Sequence, residues 1–289
     1  MKRRILIAAV ILLCVLATLA GAKEQPRGLC WEVKSGQTTV HILGSIHMMQ
    51  KDMYPLSAPI EEAFTKADKL VVEIDAEAHA SELQTLILKN GIYPSNDSLK
   101  NHITPETYAL IEKKAAEYGL NMSVLNACKP WYIATLLSVL GLQKAGYLPE
   151  EGVDLYFLKK AKAVTKAVVE LESVEFQINL LTTLDELVLE DTVRELDRME
   201  EIIGGFTSAW KKGDAKVIED LTFVDLDDPL LSEFYERFYF ARNRAWAEKI
   251  AGFLQGKEKY FVVVGAGHAV GPKGLIELLK TKGYSATQL

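Results

Sequence analysis

Apolar and polar positions alternate from the start of the body of the chain. Leu29 to Val33 alternates, Lys34-Ser35-Gly36-Gln37 reads as a turn, and Thr38 to Leu43 returns, which predicts a β-hairpin. The returning strand breaks at Gly44 and delivers His47 three residues later. The same device recurs near the C-terminus, where the apolar run Lys259 to Val264 leads into Gly265-Ala266-Gly267-His268. Two strands that each end in Gly-x-x-His bring two imidazoles to the edge beyond the strand C-termini, where open α/β sheets bind ligands.

Between these strands the periodicity is mostly helical. Ser57 caps a helix with Pro59 in its first turn that runs to about Ala67, and Leu70 to Asp75 follows as a strand with Glu73 and Asp75 on one face. Thr104-Pro105 starts a helix that Gly119 ends. Pro130 opens a very apolar helix, Trp131 to Leu142, which is too short to span a bilayer. Gly152-Val153-Asp154 begins another through Ala163, with Asp154 expected as its cap. Ala167 to Glu172 reads as a strand with Glu170 and Glu172 on one face. Helices are predicted over Val174–Lys212, Asp214–Leu221, Pro229–Leu254 and Pro272–Lys282, with a short terminal strand. No Pro/Gly/Ser-rich linker divides the pattern. The expectation is one α/β domain over residues 23–289: a mixed sheet core with flanking helices, strands at both ends and a helical middle region.

The N-terminus differs in kind. Lys2-Arg3-Arg4, the apolar run Ile5 to Ala20 and Ala20-Gly21-Ala22 form the three regions of a signal peptide over residues 1–22, with cleavage expected before Lys23. The rival reading is an uncleaved anchor, and either reading exports the body to the periplasm or the exterior. Membrane contact is expected only through this segment. A net charge of −6 with no basic run beyond the N-terminus argues against a nucleic-acid surface. Cys14 belongs to the signal. Cys30 and Cys128 remain, as one disulfide or two buried thiols.

Imidazole and carboxylate at strand ends suggest a divalent-metal site, with His47 and His268 as nitrogen ligands and Glu73 and Glu172 as oxygen ligands. A metal-bound water would be nucleophilic near neutral pH, and a carboxylate not bound to the metal would take its proton. No HExxH helix is present, which excludes a zincin-type site. Arg242 and Trp246 lie four apart on one helix face, where the guanidinium can stack on the indole and also hold a substrate carboxylate or oxyanion. Asp75 and Glu170 fit equally the site or the solvated side of half-buried strands. His41 is expected in the core or at an edge, and His79 and His102 in solvent. Asp154 and Glu175 are the next site candidates, Asp154 with the cap reading ahead, and Glu175, with Gln177 in a first helical turn, fits dipole complementation equally well. Gly271-Pro272-Lys273-Gly274 lacks the spacing of a phosphate loop and reads as a turn and helix start.

The motifs and their order resemble the TraB/GumN family, whose metazoan relatives include the Tiki metalloproteases. The resemblance rests on Trp31-Glu32-Val33, Val40 to His47, Tyr54-Pro55-Leu56, Val71 to Asp75, Lys129-Pro130-Trp131, Gly152-Val153-Asp154, Leu171 to Gln177, Arg242 to Trp246 and Val264 to His268. It closes with Gly271 to Leu275. It implies a fold like that of the erythromycin esterases and the haem-binding ChaN proteins. It also implies a centre of His47, Glu73, Glu172 and His268, with Arg242 and Asn243 beside it and Mn or Co favoured as the metal, while the imidazole and carboxylate donors suit Zn as well. By that resemblance the chain is expected to be an exported metal-dependent hydrolase of peptides or small esters. One glutamate would be ligand and the other base, with Arg242 or Asn243 orienting the substrate carbonyl. Two alternatives stay open. One is a haem- or iron-binding protein gripping a porphyrin with the loop of Met48, Met49 and Met53. The other is a non-catalytic partner in an envelope complex.

Overall fold

The computed structural model describes residues 25–36, 38–184 and 186–289. The segment read as a signal peptide lies outside the described residues. Six strands, β1 (Leu29–Lys34), β2 (Thr39–Ser45), β3 (Lys69–Val72), β4 (Ala167–Glu170), β5 (Tyr260–Gly265) and β6 (Ser285–Gln288), form one sheet in the order β4-β3-β5-β2-β1-β6. The four strands β4, β3, β5 and β2 run parallel, whereas β1 pairs antiparallel with β2 and with β6. The mixed α/β architecture is therefore the expected one.

The central strand β5 carries Tyr260-Phe261-Val262-Val263-Val264, all buried. An unbroken apolar run is what a parallel strand covered on both faces requires, because no side of it meets water. The edge strands β4 and β6 are only partly buried and more polar. Register then fixes the ends. Val72 of β3 lies level with Val263 of β5, and Gly44 and Ser45 of β2 lie level with Val264 and Gly265. Thus β2 and β5 end level and β3 two residues short of them, so the residues that follow share one edge.

Fourteen helices are described: α1 (Ala58–Lys66), α2 (Ala80–Gly91), α3 (Pro105–Glu117), α4 (Met122–Leu125), α5 (Pro130–Lys144), α6 (Val153–Ala163), α7 (Val174–Leu181), α8 (Glu186–Glu195), α9 (Met199–Lys212), α10 (Ala215–Thr222), α11 (Pro229–Tyr235), α12 (Ala241–Leu254), α13 (Ala266–Ala269) and α14 (Leu275–Thr281). The helix expected over Val174–Lys212 is broken twice. After α7 the hydroxyls of Thr182 and Thr183 bond the carbonyls of Asn179 and Leu180, and a 3-10 turn over Leu196–Arg198 separates α8 from α9. Threonine hydroxyls compete with the helix for its own carbonyls, which is why a double threonine ends it. The run Pro229–Leu254 holds as one helical course, but a π turn over Glu236–Phe240 joins α11 to α12. The terminal helix starts at Leu275 rather than Pro272. The strands expected to reach Asp75 and Glu172 stop at Val72 and Glu170.

The main apolar cluster covers the sheet. A second, built from α3, α5, α8 and the start of α9, includes Ile111, Leu137, Leu189 and Ile202, and Leu142 packs against both. Cys30 and Cys128 are free and buried, so the described chain has no disulfide between them. Among the described residues no helix is long and apolar enough to cross a membrane.

Candidate active site

His47 and His268 arrive at the carboxyl edge from β2 and β5, Glu73 from β3, and Glu172 from beyond β4. Backbone bonds from Leu171 N–H to the Val72 carbonyl (2.9 Å) and from Glu172 N–H to the Glu73 carbonyl (3.0 Å) extend the ladder past the strand ends. The two glutamates are thereby held side by side. Gly44 is needed for the edge to close. A Cβ there would stand 2.9 Å from the Ala266 Cα, so only glycine lets α13 approach β2 this tightly.

Arg242, the second residue of α12, is the hub. Its Nε donates to Glu172 Oε1 (2.8 Å), and its Nη2 to Glu172 Oε2 (2.8 Å) and Glu73 Oε2 (2.7 Å). Its Nη1 donates to the Phe238 carbonyl (2.9 Å) and to His268 Nε2 (3.1 Å). The π turn places that carbonyl within reach. A guanidinium has five N–H donors, and all five are now spent on the protein. Arg242 therefore does not orient a substrate carbonyl in this arrangement; it sets the two carboxylates and His268. Its guanidinium lies 4.6 Å over the Trp246 ring, as the spacing of four implied. Gln177 bridges the same carboxylates from α7, its Nε2 donating to Glu73 Oε2 (3.2 Å) and Glu172 Oε2 (3.3 Å).

Asn243 is likewise committed. Its Nδ2 donates to the Lys273 carbonyl (2.9 Å), which turns its Oδ1 toward His268 Nδ1 at 2.6 Å. The oxygen can only accept, so the His268 proton sits on Nδ1 and the bare Nε2 accepts from Arg242. Burial pushes the His268 imidazole down to about 3, so it is neutral across the physiological range. Tyr239 and Trp246 cover it, with ring centroids 4.9 and 4.5 Å away.

His47 is held differently. Its Nδ1 lies 3.1 Å from Asp154 Oδ1, and its side chain is 63 % exposed. Gly152, not Asp154, caps α6, and a Cβ on Gly152 would run into the His47 carbonyl. With Val153 N–H bonded to the Ile46 carbonyl (3.0 Å), the helix start is seated against the His47 loop and Asp154 reaches the imidazole. Asp154 is thus a site residue that its position in a first helical turn disguised as a cap. Its carboxylate raises the His47 imidazole to about 9.

Glu73 faces both histidines. Burial alone would raise its carboxyl, but the positive charge of His268 when protonated, of Arg242 and of His47, with the Gly265 N–H bond (2.8 Å), outweighs it and holds the group at about 2. Gly265 marks the point of convergence. A Cβ built there would lie 3.5 Å from His268 Cδ2 and 3.6 Å from both Glu73 Oε1 and His47 Nε2. The cleft over this point holds about 370 Å³, and its walls include Met48, Leu142, Ile203, Phe206, Phe238 and Tyr239. Glu73 lines it, whereas Glu172 stands behind the Arg242 fork.

Asp75 and Glu170 lie elsewhere. The Asp75 N–H donates to Glu170 Oε1 (2.7 Å), and His79, which is half-buried rather than free in solvent, lies 3.2 Å from Glu170 Oε2. His102 bonds Asp97, and His41 is largely buried beside Glu32. Of the methionine loop, Met49 and Met53 are core residues and only Met48 reaches the cleft.

The residues that the metal reading requires are placed together but engaged. His268 Nε2, Glu73 Oε2 and both Glu172 oxygens accept from Arg242. Among the described residues no three His, Cys, Asp or Glu side chains form a group that could hold a metal ion. The set as arranged does not fit a metal.

The fold and site thus define an α/β protein with a two-histidine, two-glutamate cleft at the carboxyl edge of a mixed sheet, ordered by one arginine. Residues 29–288 match the TraB/PrgY/gumN family, and the chain belongs to it. It is 29 % identical over 248 residues to the uncharacterized protein YbaP of Escherichia coli K12, covering 85 % of this chain and 89 % of that one. The same figures hold for YbaP of Shigella flexneri. An uncharacterized protein of Treponema pallidum is 20 % identical over 284 residues, covering 92 % of this chain and 83 % of that one. No solved structure matches the chain.

Proposed function

We propose that the chain is an exported hydrolase that cleaves a carbonyl-centred bond, foremost a peptide bond and otherwise a small ester. The observation that carries this reading is the meeting of His47 Nε2 and Glu73 Oε1 over Gly265, on the floor of a cleft with apolar walls. His47 is an imidazolium below about 9. Its Nε2–H is the group that gives a proton to the leaving atom, and Asp154 keeps it charged and aimed. Glu73 Oε1 faces the same point and orients the attacking water. Glu172, Arg242, Asn243 and His268 form the support that fixes Glu73.

No step is routed through a metal, because His268 and both glutamates are bonded to Arg242. The family resemblance nevertheless makes Mn, Co or Zn an arm of the test. The purified protein and its His47→Ala variant would be incubated with a peptide library and with small esters, in chelator and then with each metal added. Cleavage in chelator by the parent alone supports this reading. The pH profile should then fall through about 9, the value held by His47. Cleavage only with added metal would replace it with the metal-dependent mechanism. No cleavage under any condition would favour a binding role. Export is checked separately, by N-terminal sequencing of protein from the exported fraction for a start at Lys23.

A further inference from the structure

Most polar groups around the cleft are accounted for by partners within the protein. Arg242 has no donor to spare, Asn243 is fully buried with its amide on the Lys273 carbonyl and His268, and the Gly265 N–H is taken by Glu73. Ser45 stands apart: of the buried side-chain polar atoms without a partner among the described residues, its hydroxyl is the one whose residue lines the cleft. It is the last residue of β2, 2 % exposed, and lines the cleft, yet its hydroxyl has no hydrogen-bond partner. A buried hydroxyl without a partner costs stability, and native chains seldom carry one without a use.

The sheet register shows where this hydroxyl stands. Ser45 is the direct neighbour of Gly265 in the parallel pair of β2 with β5. Paired residues on adjacent strands direct their side chains to the same face, with strands about 4.8 Å apart. The Cβ direction at Gly265 is the one that leads to His47 Nε2, Glu73 Oε1 and His268 Cδ2. Ser45 therefore presents its hydroxyl on the same face, one strand away from the point where the reacting groups meet.

We propose that the Ser45 hydroxyl is the donor that binds the substrate's carbonyl oxygen and stabilises the negative charge that develops there as water adds. This deepens the hydrolase reading and rests on it. Addition of water forms one C–O bond, moves the carbonyl π pair onto oxygen and passes one water proton to Glu73 Oε1, from which it returns to His47 once the leaving atom has been protonated. Ser45 Oγ–H donates to that oxygen without losing its proton. Collapse of the adduct restores the carbonyl, breaks the bond to the leaving atom, and that atom takes the Nε2 proton of His47. The serine supplies a hydrogen bond and remains unmodified throughout. An oxyanion donor placed in advance and left unpaired in the free enzyme is worth most in the transition state.

The experiment compares the parent, His47→Ala, Ser45→Ala and Ser45→Thr on a peptide or ester that the parent cleaves, with kcat and KM measured separately and the Tm of each recorded. The expected result is a fall in kcat of about 10²-fold for Ser45→Ala with KM little changed. Its Tm should be at or above that of the parent, since no bond is lost in the free protein. Ser45→Thr, which keeps a hydroxyl, should recover most of the rate. An unchanged kcat in Ser45→Ala beside an inactive His47→Ala overturns the Ser45 role and leaves the hydrolase reading standing. A mass increase at Ser45 during ester turnover overturns it too, by making the serine a nucleophile. A parent that cleaves nothing, like His47→Ala, sinks both.

Discussion

Replacing Arg242 with methionine is the sharpest test of how the site is held together. Methionine keeps most of the length and apolar contact against Trp246 while removing the charge and all five donors. Glu73 and Glu172 are left with side chains 12 % and 7 % exposed and no fork between them. Removing one partner of a buried ion pair typically costs about 3–5 kcal/mol, because the survivor stays buried and uncompensated. Linkage gives a figure of the same size. A carboxyl held at about 2 instead of 4.5 contributes about 3 kcal/mol at neutral pH, an upper bound on the Arg242 share because His268, His47 and the Gly265 N–H lower it too. The sign follows from the direction. In the parent the depressed Glu73 contributes stability above its ordinary value, and that contribution is lost as pH falls toward about 2. In Arg242→Met burial acts with less opposition, Glu73 moves up, and the variant loses stability as pH rises. The gap between parent and variant should therefore be small near pH ~2 and approach about 3 kcal/mol near pH ~7. Urea unfolding followed by far-UV circular dichroism at the two pH values measures it. The triple variant Arg242→Met/Glu73→Gln/Glu172→Gln should recover most of the loss at neutral pH. An equal gap at both pH values, or no recovery in the triple variant, would refute the hub role.

Two further outcomes are expected. Asp154→Asn removes the main cause of the raised His47 value, so the imidazole should titrate well below about 9 in an NMR pH series, while His268 stays neutral throughout. The stability that the charged pair contributes is present below the ordinary histidine value and fades as pH rises through about 9, so the parent should lose stability over that window and Asp154→Asn should not. Gly265→Ala and Gly44→Ala should part company. The Gly265 methyl would meet its neighbours at 3.5–3.6 Å, an ordinary contact, so the fold should hold while activity falls by about 10²-fold because the methyl occupies the reacting point. The Gly44 methyl would meet the Ala266 backbone at 2.9 Å, and thermal unfolding should show a loss of about 1–3 kcal/mol.

Much of this arrangement was legible in the sequence, and the reasons are specific. Unbroken Val and Phe in β5 can only be a covered strand, and the alternation around the Lys34-to-Gln37 turn can only be a hairpin, so the sheet follows from local pattern. His47, Glu73, Glu172 and His268 follow because each lies just past a strand, and strand ends are where parallel sheets collect chemistry. What the sequence hid was allegiance. Asp154 looks like a helix cap because caps and first-turn acids share one composition. Its pairing with His47 depends on Gly152 admitting the helix against a loop about a hundred residues earlier. Arg242 and Asn243 look like substrate ligands because they are polar and lie near the site. That every Arg242 donor is already spent, and that Asn243 is buried against Lys273 and His268, is a matter of geometry between α12, the π turn and β5. Ser45 carries no signal beyond its place in Gly-Ser-Ile-His, since an unpaired hydroxyl is defined by what is absent around it.

The two Gly-x-x-His turns show why one local pattern does not fix one role. Both leave the sheet at the same height, and both put an imidazole beside Glu73. After Gly44 the chain opens into a loop, and His47 stays exposed with an acid on Nδ1 and its Nε2 toward the cleft. After Gly265 the chain winds at once into α13, which carries His268 inward beneath Tyr239 and Trp246. The Asp154 carboxylate pushes one imidazole up to about 9; burial pushes the other down to about 3. Neighbouring titratable groups driven apart in this way divide the labour of acid–base chemistry. One can exchange a proton with a bound substrate. The other is held in a single tautomer by Asn243, and that tautomer is the one Arg242 requires. A symmetric site, with both imidazoles free, would leave Arg242 one acceptor short and the Glu73 carboxylate less firmly placed. The asymmetry is what lets Glu73 remain ionised in a buried place while His47 stays exposed to the cleft with its Nε2 unpaired.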